Sequence, residues 1–286
     1  MTEGQEGSGH YLLGHDTREL RRLDLQGELY REVTLRALAE AGVKQGMRVL
    51  DMGCGSGDVS CLAAEVVGPE GEVLGIDRGE AAVEAATARA TARGLTNASF
   101  RVAEIDRAAG IHRRAGGTFD ALVGRFVLMH QSEAAATLSS AVHALKPGGI
   151  VVMIESWMDL IRARHSEPHS PLYDEIVRFK CAVVEAAGAD TRAGGRLRET
   201  FVAAGLPAPI CRLDARLEGG PASAYYQYVE ESVRSMLPEA RRTGIAGFDS
   251  SGEVDGLAER LRLETTRAGG VLVVWPVVCA FSRVPR

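Results

Sequence analysis

The run Val49-Leu50-Asp51-Met52-Gly53-Cys54-Gly55-Ser56-Gly57-Asp58 concentrates the residues best placed for chemistry: an apolar segment with a carboxylate, then three glycines at alternate positions. Glycines at a strand-to-helix turn reach positive φ without a Cβ penalty and let the backbone pass close to a ligand, so the segment reads as the cradle of a nucleotide-like cofactor. What the run lacks narrows the choice. A dinucleotide fingerprint G-x-G-x-x-G begun at Gly53 needs its last glycine where Asp58 stands, and one begun at Gly55 needs it where Ser60 stands. A phosphate-cradling G-x-x-x-x-G-K-S/T is also absent, and Asp51 ahead of the glycines would repel phosphates while suiting a cationic ligand.

Asp77 closes Val73-Leu74-Gly75-Ile76-Asp77, at the place where open α/β sheets put a carboxylate to accept from ribose hydroxyls. Glu155 ends a later apolar run, where such sheets direct residues toward the ligand, and it is the first choice for a general base. His130 lies just past another apolar run and serves equally as a base or as a hydrogen-bonded structural histidine. His165, Glu167 and His169 resemble a metal set, but Pro168 interrupts any helix that would stack the two histidines, so no metal is expected. Arg22 and Gln26, four apart, contact a ligand or form a solvated helix face. Tyr225, Tyr226 and Tyr228 line an acceptor pocket or pack in the interior.

These residues need a frame. Asp16 with Glu19 fits a capping box, and Leu20, Leu23, Leu29, Val33, Leu35 and Leu38 recur at helical spacing up to Ala41-Gly42, predicting a helix or helix pair. Met47 to Met52 reads as a strand, the glycine run as a tight loop and Val59 to Val67 as a helix. The rhythm continues with strands over Val73 to Ile76, Ser99 to Ala103, Phe119 to Val123 and Ile150 to Ile154. Helices are predicted over Glu80 to Arg93 and over Ser132 to Leu145, the latter stopped by Pro147-Gly148-Gly149. Strand and helix alternating at this spacing imply a parallel sheet with helices on both faces. Beyond Glu155, Trp157 to Ala204 is largely helical, Ile210 to Leu217 reads as a strand, Tyr225 to Leu237 and Val254 to Arg267 as helices, and Val271 to Phe281 as a last strand. Without repeats or a low-complexity linker, one elaborated domain is expected.

Composition removes several functional classes. The 286 residues carry a net charge of -5 and no Lys/Arg cluster, which argues against a nucleic-acid partner. Five cysteines without a C-x-x-C pair read as buried apolar residues in a reducing compartment. The acidic, Gly-rich start lacks the order of a secretory signal, and the apolar stretch Val271 to Phe281, interrupted by Pro276, falls short of the roughly 20 residues a membrane span needs. A cytoplasmic protein without a membrane partner is the expectation.

Several of these segments together resemble the class I S-adenosylmethionine-dependent methyltransferases, and within them the small-molecule enzymes of actinobacterial secondary metabolism. The similarity runs over nearly the whole chain. It is carried by Tyr11-Leu12-Leu13-Gly14 with Glu19 to Gln26, the glycine loop, Gly75-Ile76-Asp77-Arg78, Val123-Gly124-Arg125-Phe126-Val127-Leu128-Met129-His130 and Leu145-Lys146-Pro147-Gly148-Gly149. The resemblance implies a Rossmann-like, doubly wound α/β fold whose mostly parallel seven-stranded sheet has an antiparallel last strand. Lid helices would occupy 1–45, the cofactor-binding core 46–156, a helical acceptor cap 157–207, and the last strands 208–286 with a second helical insertion at 221–268.

It further implies that S-adenosylmethionine, with its sulfonium and ammonium charges, meets Asp51, Gly53, Cys54, Gly55 and Gly57 through its methionine part, together with Gly124 and Arg125. Asp77 and Arg78 would hold ribose and adenine, Glu104 (where such enzymes usually carry Asp) and Ile105 the adenine, while Tyr11, Arg22 and Gln26 close over the cofactor from the lid. The activity implied is methyl transfer, with S-adenosylhomocysteine as product, to a small aromatic or heteroaromatic acceptor at carbon or nitrogen, or to a hydroxyl. Glu155, His130 or His165 would remove a proton where the acceptor atom carries one. Two alternatives stay open: a cyclase or rearrangement enzyme that keeps the cofactor unspent, and a non-catalytic regulatory protein on the same fold. A homodimer is expected on general grounds alone.

Overall fold

The computed structural model describes residues 17–105, 117–248 and 250–286. Its centre is a seven-stranded sheet in the order β3-β2-β1-β4-β5-β10-β7. The strands are β1 (Arg48–Met52), β2 (Glu72–Asp77), β3 (Ala98–Val102), β4 (Phe119–Arg125), β5 (Leu145–Ser156), β7 (Ile210–Asp214) and β10 (Val277–Arg283). β1 to β5 run parallel, and β10 inserts antiparallel between β5 and β7, so the expected mostly parallel sheet with an antiparallel last strand is the one formed.

Alternate side chains of the strands feed two apolar layers. Val49, Ala121, Val123, Val152 and Ile154 meet α1 (Thr17–Ala41) and α2 (Asp58–Val67) through Leu29, Val33, Ala63 and Val67. Leu50, Met52, Leu122, Val151 and Met153 meet α4 (Ala134–Val142) and α6 (Ala193–Ala203) through Leu138, Ala141, Leu197 and Phe201. α3 (Glu80–Ala92) packs on β2 and β3. Strand order reverses between β1 and β4, and the carboxyl ends of both open at that point, where ligands settle in such sheets.

Above this end α5 (Pro171–Ala186) packs against α7 (Tyr225–Thr243), which also contacts α1, α8 (Ser251–Val254) and α9 (Leu257–Arg267). A second sheet, β6 (Ser166–Glu167), β9 (Val271–Val273) and β8 (Leu217–Glu218), sits beside them. The Tyr173 hydroxyl ties the group together, lying 2.5 Å from the Tyr225 hydroxyl and donating to the Val273 carbonyl at 2.8 Å. No helix among the described residues is long and apolar enough to cross a membrane.

Three local expectations differ from the structure. The expected last strand over 271–281 is two strands in two sheets: Pro276, which has no N–H for a ladder, separates β9 from β10, and its carbonyl accepts from Trp157 N at 2.9 Å. The expected strand over 210–217 likewise divides between β7 and β8. The segment Lys146-Pro147-Gly148-Gly149 lies inside β5 rather than ending a helix, with the β4–β5 register shifting between Phe119 and Ala121 to absorb it. Asp16 of the expected capping box and Tyr11 fall outside the described residues.

Candidate functional site

The glycine loop leaves β1 and enters α2 with Gly53, Gly55 and Gly57 at φ values of +65°, +51° and +80°. A Cβ on Gly55 would meet nothing within 4 Å, so this backbone faces open space. On Gly57 it would lie 2.7 Å from Ala86 Cβ, so that glycine lets α3 approach instead. Asp77, at the end of β2, braces the loop: one carboxylate oxygen accepts from Gly55 N at 2.9 Å and the other from Gly79 N at 2.9 Å. Asp51 is 1% exposed, accepts from the Ser60 hydroxyl at 2.5 Å, and is pushed up to about 7 chiefly by burial.

These groups border a cavity of about 560 Å³. Asp51, Gly53, Cys54, Gly55, Asp77 and Arg78 line it from the carboxyl ends of β1 and β2. Glu104 and Ile105 follow β3, Arg125 ends β4 and His130 follows it, and Arg22 and Gln26 come from α1, where Arg22 donates to Gln26 Oε1 at 2.8 Å. The buried Arg125 guanidinium joins three elements: it pairs with Asp58 at the start of α2, donates to Thr34 Oγ1 of α1 at 3.0 Å, and lies 5.8 Å from the Tyr30 ring centroid. His130 lines the cavity; desolvation, and after it the charges of Arg78 and Arg22, lower its pKa.

Other expected site residues stand elsewhere. Gly57 and Gly124 are not in the lining; Gly124 sits within β4, where a Cβ would press on Met153 and Met52 at 3.1 Å each. Glu155 is fully buried and outside the lining, unlike the general base expected from its place at the strand end. Its Oε1 accepts from Val127 N and Leu128 N at 2.9 and 2.7 Å and its Oε2 from Met129 N at 3.3 Å, while burial pushes its pKa up to about 7. It holds the turn that presents His130. His165 lies in the helical layer, also outside the lining: its Nδ1 is 2.9 Å from the Ile161 carbonyl and its Nε2 3.1 Å from Asp174 Oδ1. Of the three tyrosines, only Tyr228 faces the cavity.

The reading from sequence missed the far wall: Met158, Lys180, Ser232, Met236 and Trp275. One signal for it was present. Ile176, Val177, Lys180, Val183 and Val184 occupy the buried stripe of α5, so helical spacing alone puts a lysine on an apolar face.

Comparison with known proteins places this geometry in context. Residues 43–205, more than half of the chain, match a protein family described as a methyltransferase domain. An arsenite methyltransferase of Aquipseudomonas alcaligenes is 31% identical over 159 residues, covering 53% of this chain and 46% of that protein. A nocamycin O-methyltransferase of Saccharothrix syringae is 44% identical over 77 residues, covering 27% and 28%. The chain thus spans less than half the length of both relatives. Among solved structures, the YcgJ protein of Bacillus subtilis superimposes with a TM-score of 0.55 at 14% identity, covering 89% of this chain and 99% of that one, a likeness of fold.

Proposed function

Because the chain belongs to the methyltransferase-domain family, we propose that it is an S-adenosylmethionine-dependent methyltransferase acting on a small, partly aromatic acceptor. The observation that carries this reading is the loop held between Asp51 and Asp77, with the Gly55 backbone open to the cavity where a side chain would intrude. Its chemistry suits that cofactor. A carboxylate offers about four lone-pair sites. Asp77 uses two on backbone N–H groups, which leaves acceptor capacity for ribose hydroxyls. Glu104 and Ile105 border the neighbouring end for an adenine, and the acidic residues Asp51, Asp58 and Asp77 favour a cationic methionine part.

When bound, the cofactor supplies a methyl group activated by a positive sulfur. The protein then has to align the acceptor with that methyl and exclude water, and neither task demands an acid or base. α1 closes one side through Arg22 and Gln26, fastened by the link from Arg125 to Thr34. Glu155 acts as a positioning residue, because its three backbone hydrogen bonds fix the turn bearing His130. Where the acceptor atom carries a proton, the His130 imidazole in the lining is placed to take it. Tyr30, Tyr228, Trp275, Met158 and Met236 supply aromatic and thioether surface for a planar or partly apolar molecule.

Calorimetric titration with S-adenosylmethionine and S-adenosylhomocysteine tests the reading. Both are expected to bind the wild type, and binding is expected to collapse in Asp77→Ala. A folded wild type that binds neither would refute the assignment.

A further inference from the structure

We infer that the far wall of the cavity is a seat for an anionic oxygen group of the acceptor, a carboxylate or an ionised phenol or enol, formed by the Lys180 ammonium between the rings of Trp275 and Tyr228. This rests on the cavity being the cofactor and acceptor site proposed above.

Lys180 is 2% exposed, and its Nζ lies 4.5 Å from the Trp275 ring centroid and 5.2 Å from that of Tyr228. Among the described residues nothing forms an ion pair or hydrogen bond with this ammonium. A cation packed between ring faces with no protein acceptor is well placed to take one from a ligand in the cavity.

Two neighbouring residues of the lining, Ser232 at 1% and Trp275 at 8% exposed, hold their own polar atoms buried away from the cavity, the Trp275 Nε1–H acting on the Tyr173 hydroxyl, so Lys180 is the donor this wall offers a ligand. The Lys180 ammonium offers donors without an acceptor, which is what an anionic oxygen requires. Every carboxylate in the lining (Asp51, Asp58, Asp77, Glu104) comes from the strand ends or the start of α2, and none from α5, α7 or the β9–β10 connection. The titratable groups acting on the lysine are the Arg22 guanidinium of α1 and, beside it on α5, the Cys181 thiol, which burial keeps protonated by pushing its pKa up to about 11. Burial first, and then Arg22, lower the Lys180 pKa to about 7, so an arriving anion also restores the proton that burial has loosened. Residue choice agrees. Only three of the 33 basic residues are lysines, and lysine, unlike arginine, releases a proton when buried.

The test is a ligand-observed NMR screen of the full chain saturated with S-adenosylhomocysteine, using small aromatic carboxylic acids each matched with its neutral amide. Acids are expected to bind more tightly than their amides. Lys180→Met is expected to weaken the acids by about 10- to 100-fold while leaving the amides and S-adenosylhomocysteine in place. Raising the pH from 6 to 9 should weaken the acids in the wild type, because the carboxylates stay ionised while Lys180 loses its proton. Acids and amides binding alike, acid binding undiminished in Lys180→Met, or a screen without acid binders would overturn the seat while leaving the methyltransferase reading intact. Failure of the wild type to bind S-adenosylhomocysteine would overturn both.

Discussion

The two walls of the cavity are built on opposite plans. The strand-end wall takes nearly all its polar groups from residues at β1, β2, β3 and β4, and three of its four carboxylates are braced: Asp51 by Ser60, Asp58 by Arg125, Asp77 by Gly55 and Gly79. The helical wall gathers single residues from distant segments, Lys180 from α5, Ser232 from α7 and Trp275 from the β9–β10 connection, and leaves the Lys180 ammonium without an ion pair or hydrogen bond among the described residues. A site preorganised by its own backbone suits an invariant ligand. One whose donors wait for an acceptor suits the ligand that differs from enzyme to enzyme.

The contrast can be broken where the walls meet. Glu155→Ala strands three buried N–H groups and is expected to cost about 4 kcal/mol, lowering the melting temperature by roughly 8 to 16 °C. Glu155→Gln, which keeps an acceptor oxygen, should recover most of that stability and retain turnover within about tenfold; a loss of about 1000-fold would return Glu155 to the role of base. On the strand-end wall, Asp77→Ala should weaken S-adenosylmethionine by about 100-fold in calorimetry, through lost acceptors and a loosened loop.

The helical wall should respond with the opposite sign in stability. Lys180 titrates at about 7 in the folded chain and near 10.4 when unfolded, as a free lysine does. Between those values the unfolded chain holds more protons, so the penalty of burying this residue is full below pH 7 and fades as the pH climbs. Lys180→Met is therefore expected to raise the ligand-free melting temperature, by about 2 kcal/mol in stability at pH 6 and by less at pH 9. A variant that melts lower at both pH values would show the lysine to be a structural support. The smallest effects separate the two glycines. Gly57→Ala, which meets Ala86, should cost about 2 kcal/mol of stability, whereas Gly55→Ala should cost about 1 kcal/mol and act mainly on cofactor affinity.

The order of the strands and the glycine loop was legible because both rest on local signals: hydrophobic runs of strand length, glycines with special φ, and an acid at a strand end. The surroundings of Glu155 were not legible, for a physical reason. The end of a strand was visible in the sequence, but the three N–H groups folded beneath it belong to residues 127–129, and that encounter is made only by tertiary packing. The three-stranded sheet was hidden because an apolar run does not state which partner it will pair with, and Pro276 divides one run between two. Lys180 was readable from its stripe, yet its meaning depends on Trp275 and Tyr228, each more than forty residues away along the chain.

The β9–β10 connection bears on how such a protein could be re-engineered. Val274 N bonds to the Arg216 carbonyl on the helical side, Pro276 accepts from Trp157 beside the main sheet, and Val277 already pairs with Ser156 in β10. Trp275 thus stands on a bridge between the small sheet and the large one. Transplanting α5 and α7 from a relative would leave behind the ring against which the lysine rests, and moving the bridge as well would disturb the register of β10. On the reading proposed above, acceptor specificity is not a detachable cassette but is threaded into the scaffold, so changing it calls for point substitutions on the helical wall rather than exchange of a segment.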